Sequence, residues 1–562
     1  MGTRLKSRVT FTEFRQRRFC VRSIDSNAHN LQARIPMESP FAQHLNTNYA
    51  PSDFEVKGIQ SHLIPYVDEI SRLDSLIRDL SAQREKTLQY IVAHKALLSP
   101  ARRLPPDVMQ ELFLACLPTH RNAVMSITEA PILLTRICSA WRALALSTPA
   151  LWASLHIPLE LILDYGKARR QPRTWLERSG RCPLSLSIVG ARTMEHWEEF
   201  ESDQVDLVME ALAGSADRWR SLDLHFRAYD GMLRLAQMYA PRLAAVRMEG
   251  NSAEIVQMKF LTTPSLRTVE LNIRGDFDRW IPQMPLYWSH LTSLKIEAIK
   301  FNSGGPKEGL SPPVALEILK RCPQLIHFES DLIAFQHDLP PVSSEPTVSL
   351  PTLREFVVCR CNWSVRPASV DYLFQHLLMP QLRRLQLPRR TLPNHAMPFP
   401  GDLAARSPLI QELSIDLAGL ANDCLAETLL NLPSLKKLVL TDRDSGPVLP
   451  GEATPQQLLT FLAPTTTPAH ICPILEELHI IDCREKPWDE ELLDFARRRL
   501  DYGNGHFRRL HVGYKSFMPP IGAEVLAPFV ARGLTISTTS TPSNHVLPPQ
   551  PTPWTGVENL EE

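Results

Sequence analysis

Apolar side chains recur at alternating steps of three and four residues within the stretch from residue 59 to residue 99. The stripe consists of Leu63, Tyr66, Ile70, Leu73, Ile77 and Leu80. This spacing places the apolar residues on one face, so it predicts a heptad-like helix over residues 59–99. Two partners fit the stripe. One is a second copy of the chain, with self-association through residues 63–98 as a short coiled coil; the other is a neighbouring element of the same chain.

A denser apolar pattern follows in residues 100–156 and predicts a module of three short helices. Pro105 and Pro106 fit a first helical turn, and Asp107 suits the positive end of the helix dipole. A second helix is expected to begin after Pro131. Helices this short cannot bury so much apolar surface among themselves. Part of the surface is therefore expected to be covered by another element or by another protein.

A motif close to Leu-x-x-Leu-x-Leu recurs through residues 157–534, from a first copy ending at Leu224 to a last copy ending at Val512. Helical patterns separate the copies, and one strand plus one helix per unit predicts a repeat solenoid with an extended concave surface. A non-repeating α/β domain is the alternative. The exposed strand positions expected to contact a partner include Arg247, Glu270, Lys295, Glu329, Gln386 and His479.

Composition narrows the class of protein and its setting. The chain has 562 residues with 61 basic and 61 acidic side chains, and this zero formal charge argues against a general nucleic-acid binder. A membrane partner is not expected either, because no run of about 18 apolar residues is present. The ten cysteines form no Cys-x-x-Cys pair, and their scatter suits a reducing intracellular compartment, cytoplasm or nucleus.

The two ends of the chain lack sustained apolar periodicity. Residues 1–58 begin with an Arg-rich segment and are predicted to be a disordered basic arm and linker, with a mitochondrial targeting segment as the alternative. Residues 535–562 are rich in Ser, Thr and Pro and are predicted to be a disordered tail.

Little in the sequence suggests catalysis or a cofactor. The chain contains no nucleophile elbow, no zinc-protease motif and no phosphate-binding loop motif. Cys359 and Cys361 would share one face of a strand, but no further metal ligands can be identified beside them. We therefore expect a chain that is not an enzyme and that holds no cofactor or metal; an enzyme with an unrecognised site is the weaker alternative.

The helical module resembles the F-box. The resemblance rests on Leu104-Pro105-x-Asp107-Val108, Leu112-Phe113, Ile137-Cys138-x-x-Trp141-x-x-Leu144 and Leu151-Trp152. The run from Ala130 to Leu155 is similar to F-box proteins of mushroom-forming fungi, which often carry a heptad-like helix upstream. Two departures are the insertion Thr119–Glu129 between the halves of the motif and Asp107, where Glu is commoner. The repeats resemble a degenerate leucine-rich-repeat array, a frequent companion of F-boxes.

The resemblance implies an α-helical F-box module followed by an α/β leucine-rich-repeat-like solenoid. It also implies that the chain is a substrate receptor, which binds a Skp-type adaptor and through it a cullin, and which holds an unidentified target protein on the repeats. The implied adaptor-binding residues are Leu104, Pro105, Val108, Leu112 and Ile137. The implied core residues of the module are Phe113, Cys138, Trp141, Leu144 and Trp152. A repeat scaffold without a ubiquitin role is the alternative function.

Overall fold

A computed structural model describes residues 39–159, 171–190, 202–225, 235–299, 309–333, 348–362, 368–387, 401–417, 422–441, 454–463, 471–483, 489–502, 505–514 and 523–540. The chain divides into two compact units, which meet in sequence at Pro105 and Pro106. Residues 1–38 of the predicted basic arm and residues 541–562 of the predicted tail lie outside the described residues.

The first unit contains the predicted long helix, α1, which spans Asp53–Leu97. Its start is a capping box, in which the Ser52 backbone N–H donates to Glu55 Oε2 at 2.8 Å. The helix therefore begins before residue 59, and the prediction that Asp53–Gly58 belong to a linker is wrong. A short 3₁₀ turn, Pro100–Arg103, follows α1. None of the described helices combines the length and the apolarity that crossing a membrane requires.

The second unit opens with the predicted helical module. Its helices are α2 (Pro106–Ala115), α3 (Leu134–Ile137) and α4 (Ser139–Leu146), followed by the 3₁₀ turn Pro149–Trp152. The continuous helix expected after Pro131 is interrupted, because Cys138 adopts an extended backbone with φ −157° and ψ 170°. Cys138 instead caps α4, and its sulfur accepts a hydrogen bond from the Trp141 backbone N–H at 3.5 Å.

The repeats form one parallel sheet of fourteen strands, arranged in the order in which they occur along the chain. Its strands are β1 (Ser154–Pro158), β2 (Leu184–Val189), β3 (Trp219–His225), β4 (Ala245–Asn251), β5 (Thr268–Arg274), β6 (Ser293–Ala298), β7 (His327–Ile333), β9 (Glu355–Asn362), β11 (Arg384–Gln386), β12 (Glu412–Asp416), β13 (Lys437–Thr441), β14 (Glu477–Cys483), β15 (Arg509–Tyr514) and β16 (Thr535–Ser540). A separate two-stranded sheet pairs β8 (Val348–Ser349) with β10 (Leu377–Leu378).

Helices alternate with these strands, as expected for a βα repeat. They are α5 (Gln171–Arg178), α6 (Ser202–Ala213), α7 (Ser252–Ile255), α8 (Phe277–Trp280), α9 (Pro312–Arg321), α10 (Ala368–Gln375), α11 (Gly401–Arg406), α12 (Asn422–Leu430), α13 (Pro455–Leu462), α14 (Asp489–Tyr502) and α15 (Ala523–Ala531). Every repeat motif identified in the sequence supplies one strand of the large sheet, so the predicted α/β solenoid-like region is confirmed.

One cross-strand row of apolar residues holds the sheet in register. Its members, in strand order, are Leu155, Leu186, Leu222, Val246, Val269, Leu294, Phe328, Phe356, Leu385, Leu413, Leu438, Leu478, Leu510 and Ile536. All of them are buried. Since side chains alternate across a strand, the neighbours of these residues point to the opposite, polar face.

The sheet extends beyond the predicted bounds of 157–534 at both ends. β1 begins at Ser154, inside the segment assigned to the helical module, and β16 ends at Ser540, inside the predicted disordered tail. The tail prediction is therefore wrong for Thr535–Ser540, whose Ile536 is buried against β15.

The insertion Thr119–Glu129 covers the first edge of this sheet. The His156 backbone N–H of β1 donates to the Ala123 carbonyl oxygen at 2.8 Å, and Val124 forms a parallel bridge with His156. Arg121 pairs with Glu129 at the ends of this loop, and Val124 is fully buried. The insertion thus protects the edge strand β1 from pairing with other chains.

Candidate functional site

The helical module leaves a set of large apolar side chains exposed. On α2, Met109 and Phe113 face the core, whereas Val108 and Leu112 are 41% and 47% exposed. Val108 and Leu112 are four residues apart and therefore share one helix face. Ile137, at the end of α3, is 52% exposed. Several large aliphatic side chains left exposed on one small module make it a candidate protein-interaction site.

Other exposed aliphatic residues of the same module are Leu133, at 41%, Leu146, at 39%, and Ile127, at 58%, which lies in the inserted loop. We call the exposed set of Val108, Leu112, Leu133, Ile137 and Leu146 the apolar surface. The two remaining residues with an implied adaptor-binding role, Leu104 and Pro105, belong to the first unit, where both are exposed.

Of the five residues that the F-box resemblance assigns to the core of the module, four lie in or against the core and one is exposed. Phe113 and Trp152 are buried, and Trp141 and Leu144 pack half-buried against the core, with the rings of Phe113 and Trp141 4.9 Å apart. The expectation for Cys138 is wrong, because this residue is exposed. Its sulfur is used to cap α4, which keeps the side chain at the surface end of the helix.

Trp152 joins the helical module to the first repeat. Its indole N–H donates to the Ala145 carbonyl at 2.9 Å, and its ring meets that of Trp175, from α5, edge-on at 4.8 Å. The Arg178 guanidinium lies 4.6 Å from the centre of the Trp152 ring. The module and the sheet therefore share one continuous core.

A second candidate surface is the polar face of the large sheet. The six strand positions singled out in the sequence fall in one cross-strand row, between the buried apolar rows. Along this row Asp223, Arg247, Glu270, Lys295 and Glu329 alternate in sign from β3 to β7. Opposite charges directly across a strand pair attract each other, so the row stabilises its own register.

From β7 onward the charges shift to the preceding row. Its members alternate as His327, Glu355, Arg384, Glu412, Lys437, Glu477 and Arg509. The Arg509 and Glu477 side chains approach to 2.6 Å, and His327 Nδ1 lies 3.0 Å from Glu355 Oε2. The charged track therefore crosses the polar face obliquely, and its charges are largely compensated by one another.

The two parts of the track meet at Glu329. Lys295 Nζ donates to Glu329 Oε1 at 2.7 Å, the Cys359 thiol donates to the same oxygen at 2.9 Å, and His327 Nε2 lies 3.3 Å from Glu329 Oε2. Burial would raise the pKa of Glu329, but these donors lower it to about 2. Burial and the adjoining carboxylate of Glu329 raise the pKa of the Cys359 thiol, which keeps it protonated.

Metal-ligating atoms also come together at this point. Oxygen atoms of Glu297 and Glu329 and the sulfur of Cys359 lie within 4.8 Å of one another. The Lys295 ammonium, however, is 3.2 Å from Glu297 and 2.7 Å from Glu329, so a lysine already supplies the positive charge between the two carboxylates. The arrangement is an ion-pair network centred on Lys295.

The histidines of the polar face divide into two kinds. Burial would lower the pKa of His225, but hydrogen bonds to Asp223 and Glu249 raise it to about 9. Burial instead lowers the pKa of His479 and of His511, whose rings are 5.4 Å apart. Near neutral pH the polar face thus carries imidazolium at β3 and neutral imidazole at β14 and β15.

Sequence reasoning missed the second row of the charged track, from His327 to Arg509, and also His225 and Glu297, which lie in a neighbouring row. Each lies two residues from a position that the alternation did identify or imply, as in Lys295-x-Glu297 and His327-x-Glu329. Extending the two-residue period along each strand would have found them.

Searches against models of protein families and against curated proteins find no match to this chain.

Proposed function

We propose that this chain is a non-enzymatic substrate receptor of a Skp–cullin–F-box type ubiquitin ligase. The observation that carries the proposal is the exposure of Val108, Leu112 and Ile137. These are three of the five residues that the F-box resemblance assigns to the adaptor, and in the free chain each leaves much of its apolar surface in water. An adaptor would cover that surface.

The polar face of the sheet is the proposed target-binding surface, by analogy with the leucine-rich-repeat proteins that the repeats resemble. Because its charges compensate one another, recognition there would depend on hydrogen bonding and shape more than on net charge. The ligase reaction would then proceed by proximity: the bound target meets an activated ubiquitin at a raised effective concentration. The chain itself supplies no reacting group in this scheme.

The experiment is co-expression of the full chain with a tagged Skp-type adaptor, followed by capture of the adaptor. We expect the wild type to be captured, and Val108→Asp or Leu112→Asp to reduce capture by about tenfold or more, since a carboxylate would be buried at the interface. Val525→Asp is the matched control, because Val525 also lies in the first turn of a helix, α15, and is 48% exposed.

Failure of the wild type to associate would overturn the proposal, as would an equal loss for Val525→Asp. Circular dichroism of each purified variant checks that the substitutions leave the fold intact. If the adaptor does not bind the folded wild-type chain, the alternative of a repeat scaffold without a ubiquitin role is favoured.

A further inference from the structure

The apolar stripe of α1 is longer than its sequence pattern suggested. Because α1 begins at Asp53, two further residues, Val56 and Ile59, join the stripe at the same spacing. The full stripe is Val56, Ile59, Leu63, Tyr66, Ile70, Leu73, Ile77 and Leu80. Eight apolar positions without interruption make four heptads, which is enough for a defined coiled-coil seam.

Among the described residues, most of this stripe is exposed: Val56, Ile59 and Tyr66 are half-buried, and the other five are exposed. No residue of α1 is buried, and Ile70 and Ile77 are 59% and 60% exposed. Helices in water derive most of their stability from packing an apolar face against something else. We therefore expect that a helix of 45 residues with an exposed apolar stripe packs against a partner along its length.

We propose that the partner is a second copy of the same helix, in a parallel, in-register coiled-coil dimer. The first position of each heptad is Val56, Leu63, Ile70 or Ile77, and the fourth is Ile59, Tyr66, Leu73 or Leu80. The last two heptads have Ile at the first position and Leu at the fourth, the pattern that favours two parallel strands. Pro65 falls outside the seam, so it does not obstruct the pairing.

The polar residues that continue the seam select this orientation. Arg84, Thr87 and His94 occupy seam positions after Leu80. In a parallel pair each of them meets its own copy in the C-terminal half of α1, where the two Arg84 side chains would extend their charged ends into water. In an antiparallel pair they would instead be pressed against the apolar start of the other helix, around Val56.

One pair of like charges lies beside the seam and opposes the parallel pairing. Glu69 and Asp74 flank the stripe and would approach each other across a parallel pair. Arg72 of the same chain, however, holds Glu69 through two hydrogen bonds, both 2.7 Å long, and so compensates its charge.

The size of the interface is sufficient for a specific dimer. Four heptads of helix are roughly 40 Å long and 10 Å wide, so their pairing buries on the order of 800 Å² in total. Pairing along all of α1 extends this to on the order of 1,300 Å², within the range of stable interfaces. The dimer would carry two apolar surfaces and two polar faces, and a target with two binding segments would gain avidity from it.

Sedimentation equilibrium of the full chain tests the proposal. We expect the wild type to have twice the chain mass and Ile70→Asp/Ile77→Asp to be monomeric, with a dissociation constant raised more than about a hundredfold, because each carboxylate would be buried without a partner. Ile64→Asp is the matched control: Ile64 lies on the same helix, is also 59% exposed and is outside the stripe. This variant should remain dimeric.

A monomeric wild type would overturn the proposal, and so would dissociation of the Ile64→Asp variant. The register is tested separately by mild oxidation of Leu73→Cys, which should give a covalent dimer, with Ser75→Cys outside the seam as the control. A dimer that Leu73→Cys does not cross-link would contradict the parallel register. The proposal is independent of adaptor binding, which each of these variants should retain.

Discussion

His225 carries a positive charge because of two carboxylates beside it. Its Nε2 lies 2.6 Å from Asp223 and its Nδ1 lies 3.3 Å from Glu249, while Arg247 is close enough to oppose the charge. These contacts outweigh the burial of the ring and raise its pKa to about 9 in the folded chain. In the unfolded chain the pKa of a histidine is about 6.5.

The difference between the two pKa values makes stability depend on pH. Since the folded pKa is the higher one, the contribution of His225 is complete below about pH 6.5 and is lost as the pH rises through 9. We expect His225→Gln to reduce the free energy of unfolding by about 1–3 kcal/mol at pH 6 and by little at pH 10. Urea unfolding of both proteins at the two pH values measures this.

The control for this prediction is His511→Gln. The pKa of His511 is lowered by burial and by His479, so its ring is neutral in both states above pH 7. Its replacement should change stability equally at pH 7 and pH 10. If the cost of His225→Gln is also the same at pH 6 and pH 10, the pairing of His225 with its two carboxylates is wrong.

At the scale of elements, the insertion Thr119–Glu129 is a structural part of the sheet. It was a departure from the F-box pattern in the sequence, and the structure shows it pairing with β1. The pairing connects Ala123 to Ser154 and His156, which are more than thirty positions away in the sequence. A contact between residues so far apart cannot be predicted from a local sequence pattern. The ends of the insertion are tied together by the Arg121–Glu129 ion pair.

Removing this ion pair should destabilise the inserted loop that covers the edge strand β1. Arg121 and Glu129 are only 20% and 17% exposed, so Arg121→Met removes the cation that pairs with a largely buried carboxylate. We expect a loss of about 1–3 kcal/mol in the free energy of unfolding. Arg173→Met is the control, because the Arg173–Glu177 pair is exposed and its loss should cost less than about 0.5 kcal/mol. Equal losses in the two variants would argue against a structural role for the ion pair.

Most elements of the solenoid-like region follow from periodicity alone. The leucines of each repeat alternate with polar residues, and this pattern located the eleven strands of the large sheet from β3 to β15. It did not locate β1 or β2, because Leu155–Pro158 of β1 and five of the six residues of β2 are buried, so neither strand shows a clear alternation. It also missed β16, where small hydroxyl residues surround the single large apolar residue, Ile536.

Two helix boundaries show different limits of sequence reasoning. The start of α1 could have been predicted, because Ser52-x-x-Glu55 is a capping-box motif. The break at Cys138 could not, since neither Pro nor Gly marks it and the extended backbone there depends on how α3 and α4 pack.

Of the candidate site, the exposed positions Val108, Leu112 and Ile137 were predicted from the F-box resemblance, and the polar row was predicted from strand alternation.

At the scale of the whole molecule, the second unit combines two surfaces of different character. The apolar surface lies on α2, α3 and α4, and the polar face lies on the strands that follow. The helical module and the sheet share one continuous core, in which Trp152 of the module contacts Trp175 of the first repeat. An adaptor on the first surface would therefore be held in a fixed relation to a target on the second.

Hydrogen–deuterium exchange of the full chain, with and without a purified Skp-type adaptor, tests this arrangement most directly. We predict that the adaptor slows exchange in α2, α3 and α4, and leaves exchange in β3 to β7 unchanged. Leu112→Asp should remove that protection. Protection of the polar face by the adaptor, or no protection anywhere, would contradict the account.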